Sequence, residues 1–235
     1  MEIGCVWEHN GMDTLLYADR LIGAFARGVS LEEAMQKMHR EVAAYLRWLG
    51  EPQPEMVTLR ILQEQESELA IRDADSDVLF DSEKLPLTVA EYEQLKALAL
   101  RSAADFQRLY EAIPQRTVSC RPQRKTFYGA VPRTAEEMYA HTKSVNAYYF
   151  GEIDVEADNE GDIVACRARG FECLEQQPNF LENRLFDGSY GEQWTLRKVL
   201  RRFLWHDRIH AKAMYKMARD TFPETEIENV FAFDV

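Results

Sequence analysis

The residues with the clearest capacity for chemistry are two imidazoles four positions apart, His206 and His210, in the run "FLWHDRIH". Positions i and i+4 of a helix lie on one face about 6 Å apart along the axis, so their ring nitrogens can converge on a single cation. Leu196, Val199, Leu200, Phe203, His206, Asp207, His210, Met214 and Met217 recur by threes and fours, which places both rings on or near the apolar stripe of a long C-terminal helix. A third donor, His141, shares a predicted helical face with Met138, Val145 and Tyr148. His141 lies roughly 15 Å before the end of its helix, and the His206–His210 midpoint roughly 20 Å into the last one, so antiparallel packing brings all three to similar height. Each imidazole buried without a partner costs roughly 1–3 kcal/mol, and a shared divalent ion satisfies all three. The alternative is a core histidine donating to a backbone carbonyl. His9, beside a turn, and His39, off the apolar stripe of its helix, are expected to be exposed.

Three neutral imidazoles leave coordination positions open, the pattern of catalytic rather than closed structural sites. Such an ion activates a water or binds a thiol as thiolate. Asp207 is the candidate catalytic carboxylate, as a base or as a group orienting His206 or His210; an ion pair with Arg208 or a lysine of a neighbouring helix is the competing reading. Tyr148, Tyr149 and Trp205 are candidates to line a pocket, or plain core.

The elements that must position these residues fall into two sets. The first is α+β: "GCVWEHN" and "DTLLYADRLIGAFARG" read as strands about an Asn10-Gly11 turn, followed by a helix capped by Ser30 and Glu33 and then "MVTLRILQEQES" and "ELAIRD" as further strand signals. A β-β-α-β domain over 1–85 is predicted. Asp, Ser and Pro crowd residues 73–87, with a short "VLF" that carries at most one strand. Four helices follow over 86–235, two of them announced by the capping boxes Thr88/Glu91 and Thr134/Glu137. The short "TVSC" and "KTFYGAV" runs between them remain unclassified. The acidic connection "GEIDVEADNEGD" resembles a calcium loop only in its alternating carboxylates: Asn159 and Ala165 stand where glycine and glutamate are needed. A solvated connection is the expectation. Its length lets the two helices that it joins run parallel.

The stretch from Thr88 to Asp220 resembles the DinB-like (YfiT-type) metal-binding four-helix bundles, through "TAEEMYAHTKSVNAYY" around His141 and "WTLRKVLRRFLWHDRIHAKAM" around His206 and His210. The resemblance implies an up-down-down-up bundle, a three-histidine site for zinc or nickel, frequent homodimers, and relatives that transfer low-molecular-weight thiols or isomerise thiol adducts. Where family members often continue with a His-Arg-Gly-Gln-like run, "AKAMYK" follows His210, and the substrate stays open. "LIGAFARGVSLEEAMQKMHREV" resembles the HicB antitoxin-like fold, a strand, a turn at Gly28 and a capped helix, which implies a protein partner for the first domain.

Composition narrows the function classes. A formal net charge of -12 over 235 residues argues against a nucleic-acid scaffold or an anionic membrane surface as partner. The basic residues of the last helix, Arg197, Lys198, Arg201, Arg202, Arg208, Lys212, Lys216 and Arg219, are expected to pair with acidic helices of the same chain, ahead of a pocket rim for an anionic thiol or carboxylate and, last, nucleic-acid contact. No run is apolar enough for a membrane span or secretory leader, and four scattered cysteines without a CxxC pair point to reduced thiols, so a cytoplasmic protein is expected. The reading is a metal-dependent thiol transferase or hydrolase acting on a small molecule. Its rival is a non-catalytic binding or regulatory protein whose first domain holds a protein partner and whose bundle metal is structural or absent.

Overall fold

The computed structural model describes residues 1–126 and 129–235. It is α+β, with a four-stranded mixed sheet, five α-helices and a helical C-terminal part. Two compact units emerge, Met1–Leu85 with Ala232–Asp234, and Pro86–Phe231 with Val235.

In the first unit, β1 (Glu2–Asn10) and β2 (Asp13–Ala18) form a hairpin that closes at the pair Asn10 and Asp13, with Gly11 taking the positive φ that the turn needs. Then come β3 (Phe25–Gly28), α1 (Leu31–Leu49) and β4 (Thr58–Glu66), in the sheet order β3-β2-β1-β4. Only β1 and β4 are parallel, and α1 supplies their crossover while packing on β2 and β3. Two sequence expectations change here. The run "DTLLYADRLIGAFARG" makes two strands rather than one, because Ala18 N–H bonds to Ala24 O and Ala24 N–H to Leu21 O, folding residues 19–24 into a turn; the order is β-β-β-α-β. "ELAIRD" is no strand, since the Ser67 hydroxyl accepts from Leu69 N–H and bends the chain into a short 3-10 turn, Ile71–Asp73. "VLF" is not extended into a strand either; Gln63 Nε2 instead holds the Leu79 carbonyl at 2.9 Å.

The second unit contains α2 (Val89–Glu111), α3 (Ala135–Gly151), α4 (Ile163–Glu175) and α5 (Leu196–Thr221). Both predicted capping boxes form: Thr88 and Thr134 accept from the N–H groups of Glu91 and Glu137, whose carboxylates accept in return from the capping residues. Ser30 also caps α1, but Glu33 turns its carboxylate to Val29 N–H. Between α2 and α3, Lys125–Thr126 pair with Gly129–Ala130; Phe127 and Tyr128 of the "KTFYGAV" run lie outside the described residues.

Contacts along the helices give their directions. Tyr149 meets Phe203 while His141, two turns earlier, meets His206 and His210, so α3 and α5 are antiparallel. Tyr92 meets Phe171 and Arg167 reaches Ala99 O, so α2 and α4 are antiparallel too. By contrast, the Tyr139 hydroxyl accepts from Ile163 N–H, Asn146 donates to Cys166 O, and Phe150 meets Phe171, so α3 and α4 run the same way. The acidic connection makes this possible by returning along α3. Asn146 donates to Asp158 O, Asn159 bridges Ala147 N–H and Ser144 O, and Lys143 donates to Gly161 O. Asp158 pairs with Arg169. Phe150, Phe171 and Phe203 centre the core, and full burial of each such ring contributes about 1.5–3 kcal/mol. Gly170 lets α4 approach so closely that a Cβ there would stand 2.1 Å from the Phe150 ring.

Candidate metal centre

Thr195 caps α5, its hydroxyl accepting from Lys198 N–H, and the helix then runs unbroken past both of its histidines. His206 and His210 stand one turn apart with ring centroids 4.5 Å from each other. His141 of α3 faces both, at 5.0 Å from His206 and 4.7 Å from His210. One ring nitrogen from each of the three lies within 4.8 Å of the other two. The closest approach, His206 Nε2 to His141 Nε2, is 3.3 Å. Two imidazole nitrogens on one tetrahedral zinc, each at 2.0–2.1 Å from it, are themselves about 3.3–3.4 Å apart. The His141–His206 pair thus has the spacing of two ligands on one such ion, and His210 stands close enough to be a third donor.

Burial grades the three. His206 is 7% exposed, His210 half-buried and His141 exposed. The buried face of α3 runs through Met138, Thr142, Asn146 and Tyr149, so His141 flanks that stripe instead of lying on it, and Tyr148 is 39% exposed. The cluster thus has a dry floor and an open wall. His206 Nδ1 is buried with no hydrogen-bond partner, an orphaned polar atom in the least hydrated part of the site.

Electrostatics keep the floor neutral. Burial, then His210 and His141, and last Arg202 and Arg167, push the His206 pKa well below its ordinary value; burial lowers that of His141. Both offer lone pairs at neutral pH. Tyr149 stands edge-on to His206 at 6.0 Å, its hydroxyl pushed up to about 12, chiefly by burial. Of the other two aromatic candidates, Tyr148 meets Trp194 edge-on, two turns along α3 from His141, and Trp205 is buried with the Arg202 guanidinium over its face at 5.2 Å.

Asp207 points elsewhere. Its two oxygens accept from Arg167 of α4 at 2.5 and 3.1 Å, both side chains being fully buried. Burial raises the Asp207 pKa while the guanidinium opposes the rise. The Ser102 hydroxyl of α2 lies beside this carboxylate without closing a hydrogen bond. An ion pair is therefore present, with Arg167 and not with Arg208 or a lysine.

His39 is exposed, as its position off the helix stripe predicts. His9 is not: its side chain is 13% exposed, stacked on Trp7 at 4.2 Å, with Nε2 3.1 Å from Glu64. Alternation on β1 puts the two rings on one face, a signal that its neighbouring turn obscured. The basic stripe of α5 folds inward at its start, where Lys198 and Arg202 share Glu192 at 2.9 and 2.6 Å and Arg197 meets Glu91 at 3.3 Å. Sequence patterns give neither Arg167, whose partner lies forty residues away, nor Glu192, which sits outside the helix whose Lys198 and Arg202 it pairs with. No helix of the described residues is long and apolar enough to cross a membrane. No protein-family model, curated protein or solved structure matches the chain.

Proposed function

We propose that the helical unit is a divalent-metal centre, that His141, His206 and His210 hold zinc or nickel, and that the protein is a metal-dependent thiol transferase or hydrolase of a small molecule. The observation that carries this reading is the 3.3 Å separation of two imidazole nitrogens with a third within 4.8 Å. Such an ion, when bound, supplies Lewis-acid activation of a water or a thiol. The chain's own contribution is to hold two neutral donors in a dry setting and to leave the His141 side open to a guest. Tyr149 packs beside His206 and shields it, and Asp207, held by Arg167, is not offered to the guest.

The finer fold reading belongs to the same proposal: α2 to α5 form a DinB-like bundle, supported by two antiparallel pairs with α3 and α4 parallel. For the first unit, β3, Gly28 and the Ser30-capped α1 support a HicB-like domain. The four unpaired cysteines suit a cytoplasmic setting. Elemental analysis of protein purified without an affinity tag tests the centre: about one equivalent of zinc or nickel is expected. Turnover of a thiol conjugate or an activated ester that stops on chelation, and returns with metal, tests the activity. A protein that takes up neither metal sinks the reading.

A further inference from the structure

The pair formed by Arg167 and Asp207 is fully buried at the junction of three helices, and nothing in the proposed chemistry uses it. Arg167 Nη1 also donates to Ala99 O at 3.4 Å, and its guanidinium lies over the Phe203 ring at 4.2 Å. Guanidinium and carboxylate thus join α4 and α5, and the bond to Ala99 O ties the pair to α2. A pair of this kind is seldom retained for stability, since well-packed apolar replacements are often as stable or more so. It does fix orientation, because two parallel bonds to a planar fork admit little rotation.

Asp207 lies about 100° around α5 from His206 and about 60° from His210. Locking it therefore locks the angle at which both rings leave the helix. A side-chain tip about 5.5 Å from the axis moves about 2 Å for a 20° roll, whereas ligation tolerates only about 0.2 Å. Apolar packing around Phe203 and Leu200 is compatible with small rolls; a bidentate ion pair is not. We propose that Arg167 and Asp207 are positioning residues, a rotational lock on α5 that sets the metal affinity of the three-histidine cluster without touching the ion. This rests on the metal reading above.

The test compares the full-length wild type with the double variant Arg167→Met/Asp207→Leu, measuring zinc dissociation constants by competition with a chromophoric chelator, thermal midpoints of the metal-free proteins, and visible spectra with cobalt. The expected result is a metal-free midpoint equal to or above wild type, zinc binding weakened on the order of tenfold to 100-fold, the range typical of groups that orient ligands, and an altered cobalt spectrum. Unchanged zinc affinity and spectrum in a folded double variant overturn the proposal. Should the double variant not fold, Asp207→Glu serves instead: it keeps the charge but lengthens the arm, so weaker zinc binding by a folded protein supports the lock, and undiminished binding refutes it. A wild type that binds no zinc, nickel or cobalt overturns the metal reading itself, an outcome distinct from a wild type that binds and variants that bind equally well.

Discussion

His9 and His206 begin from similar circumstances. Each has a ring packed against an aromatic residue and a buried Nδ1 without a hydrogen-bond partner. They differ in what meets Nε2. At His9 it is the carboxylate of Glu64, itself 57% exposed, so charge and solvent complete the arrangement. At His206 it is a second imidazole, and the one carboxylate next to it in sequence, Asp207, is held by Arg167. An acid beside a histidine gives the ring an ordinary partner, whereas nitrogen facing nitrogen, with the nearby acid withheld, is the arrangement that the proposed cation site requires.

The largest expected effect falls on the withheld carboxylate. Asp207→Ala leaves Arg167 charged and buried without its counter-ion, and a loss of about 3–5 kcal/mol in unfolding free energy is expected from denaturant titration. A loss under about 1 kcal/mol would show that Arg167 finds water or another acceptor, and would blunt the contrast between the two histidines.

His206→Ala comes next. Structural zinc sites contribute about 10–16 kcal/mol through four ligands, so one ligand accounts for about 2.5–4 kcal/mol, on the order of 100-fold to several hundredfold in affinity. Competition with a chelator should register that loss for His206→Ala, with similar losses for His141→Ala and His210→Ala and none for His9→Ala or His39→Ala. Equal retention by all five variants breaks the comparison outright.

Acid sharpens it further. Below a pH of about 6.5 the unfolded chain takes up a proton that folded His206 refuses, since its pKa is pushed down. The metal-free protein should then lose stability by up to about 1.4 kcal/mol for each pH unit, until the lower folded value is reached. Unfolding titrations from pH 7 downward measure this slope, and His206→Gln should flatten it. A slope unaltered by that substitution would place the proton uptake elsewhere. The smallest effect belongs to Glu64→Gln, which removes the acid from the ordinary partner: at most about 1 kcal/mol of stability, with zinc affinity unchanged.

What the sequence disclosed follows from the range over which each signal acts. Ser30, Thr88 and Thr134 announce helices because a cap is a bond across three residues, and His206 with His210 announces a cluster because one helical turn spans four. His141 joins them by matched depth on antiparallel helices. The bend at residues 19–24 is closed by backbone hydrogen bonds, and its marks in residue type are Asp19-Arg20, which break the apolar run, and Gly23, whose positive φ suits a turn. Similarly, the α3 periodicity puts His141 on the apolar face with Val145 and Tyr148, whereas the packing of Asn146 against Asp158 O and Cys166 O turns a neighbouring face inward and leaves His141 at its border. Arg167 stands forty residues from Asp207, beyond the reach of any local pattern.

The acidic connection that doubles back along α3 also decides which flank of that helix meets solvent. On a helical wheel Lys143, Ser144 and Ala147 occupy the flank that this strap follows, α5 and α4 take the next two quadrants, and the remaining sector runs from Tyr148 to His141. Strap and packed helices between them leave uncovered the side of α3 that carries His141 and Tyr148, so solvent reaches the cluster's third imidazole while the other faces of the helix stay dressed.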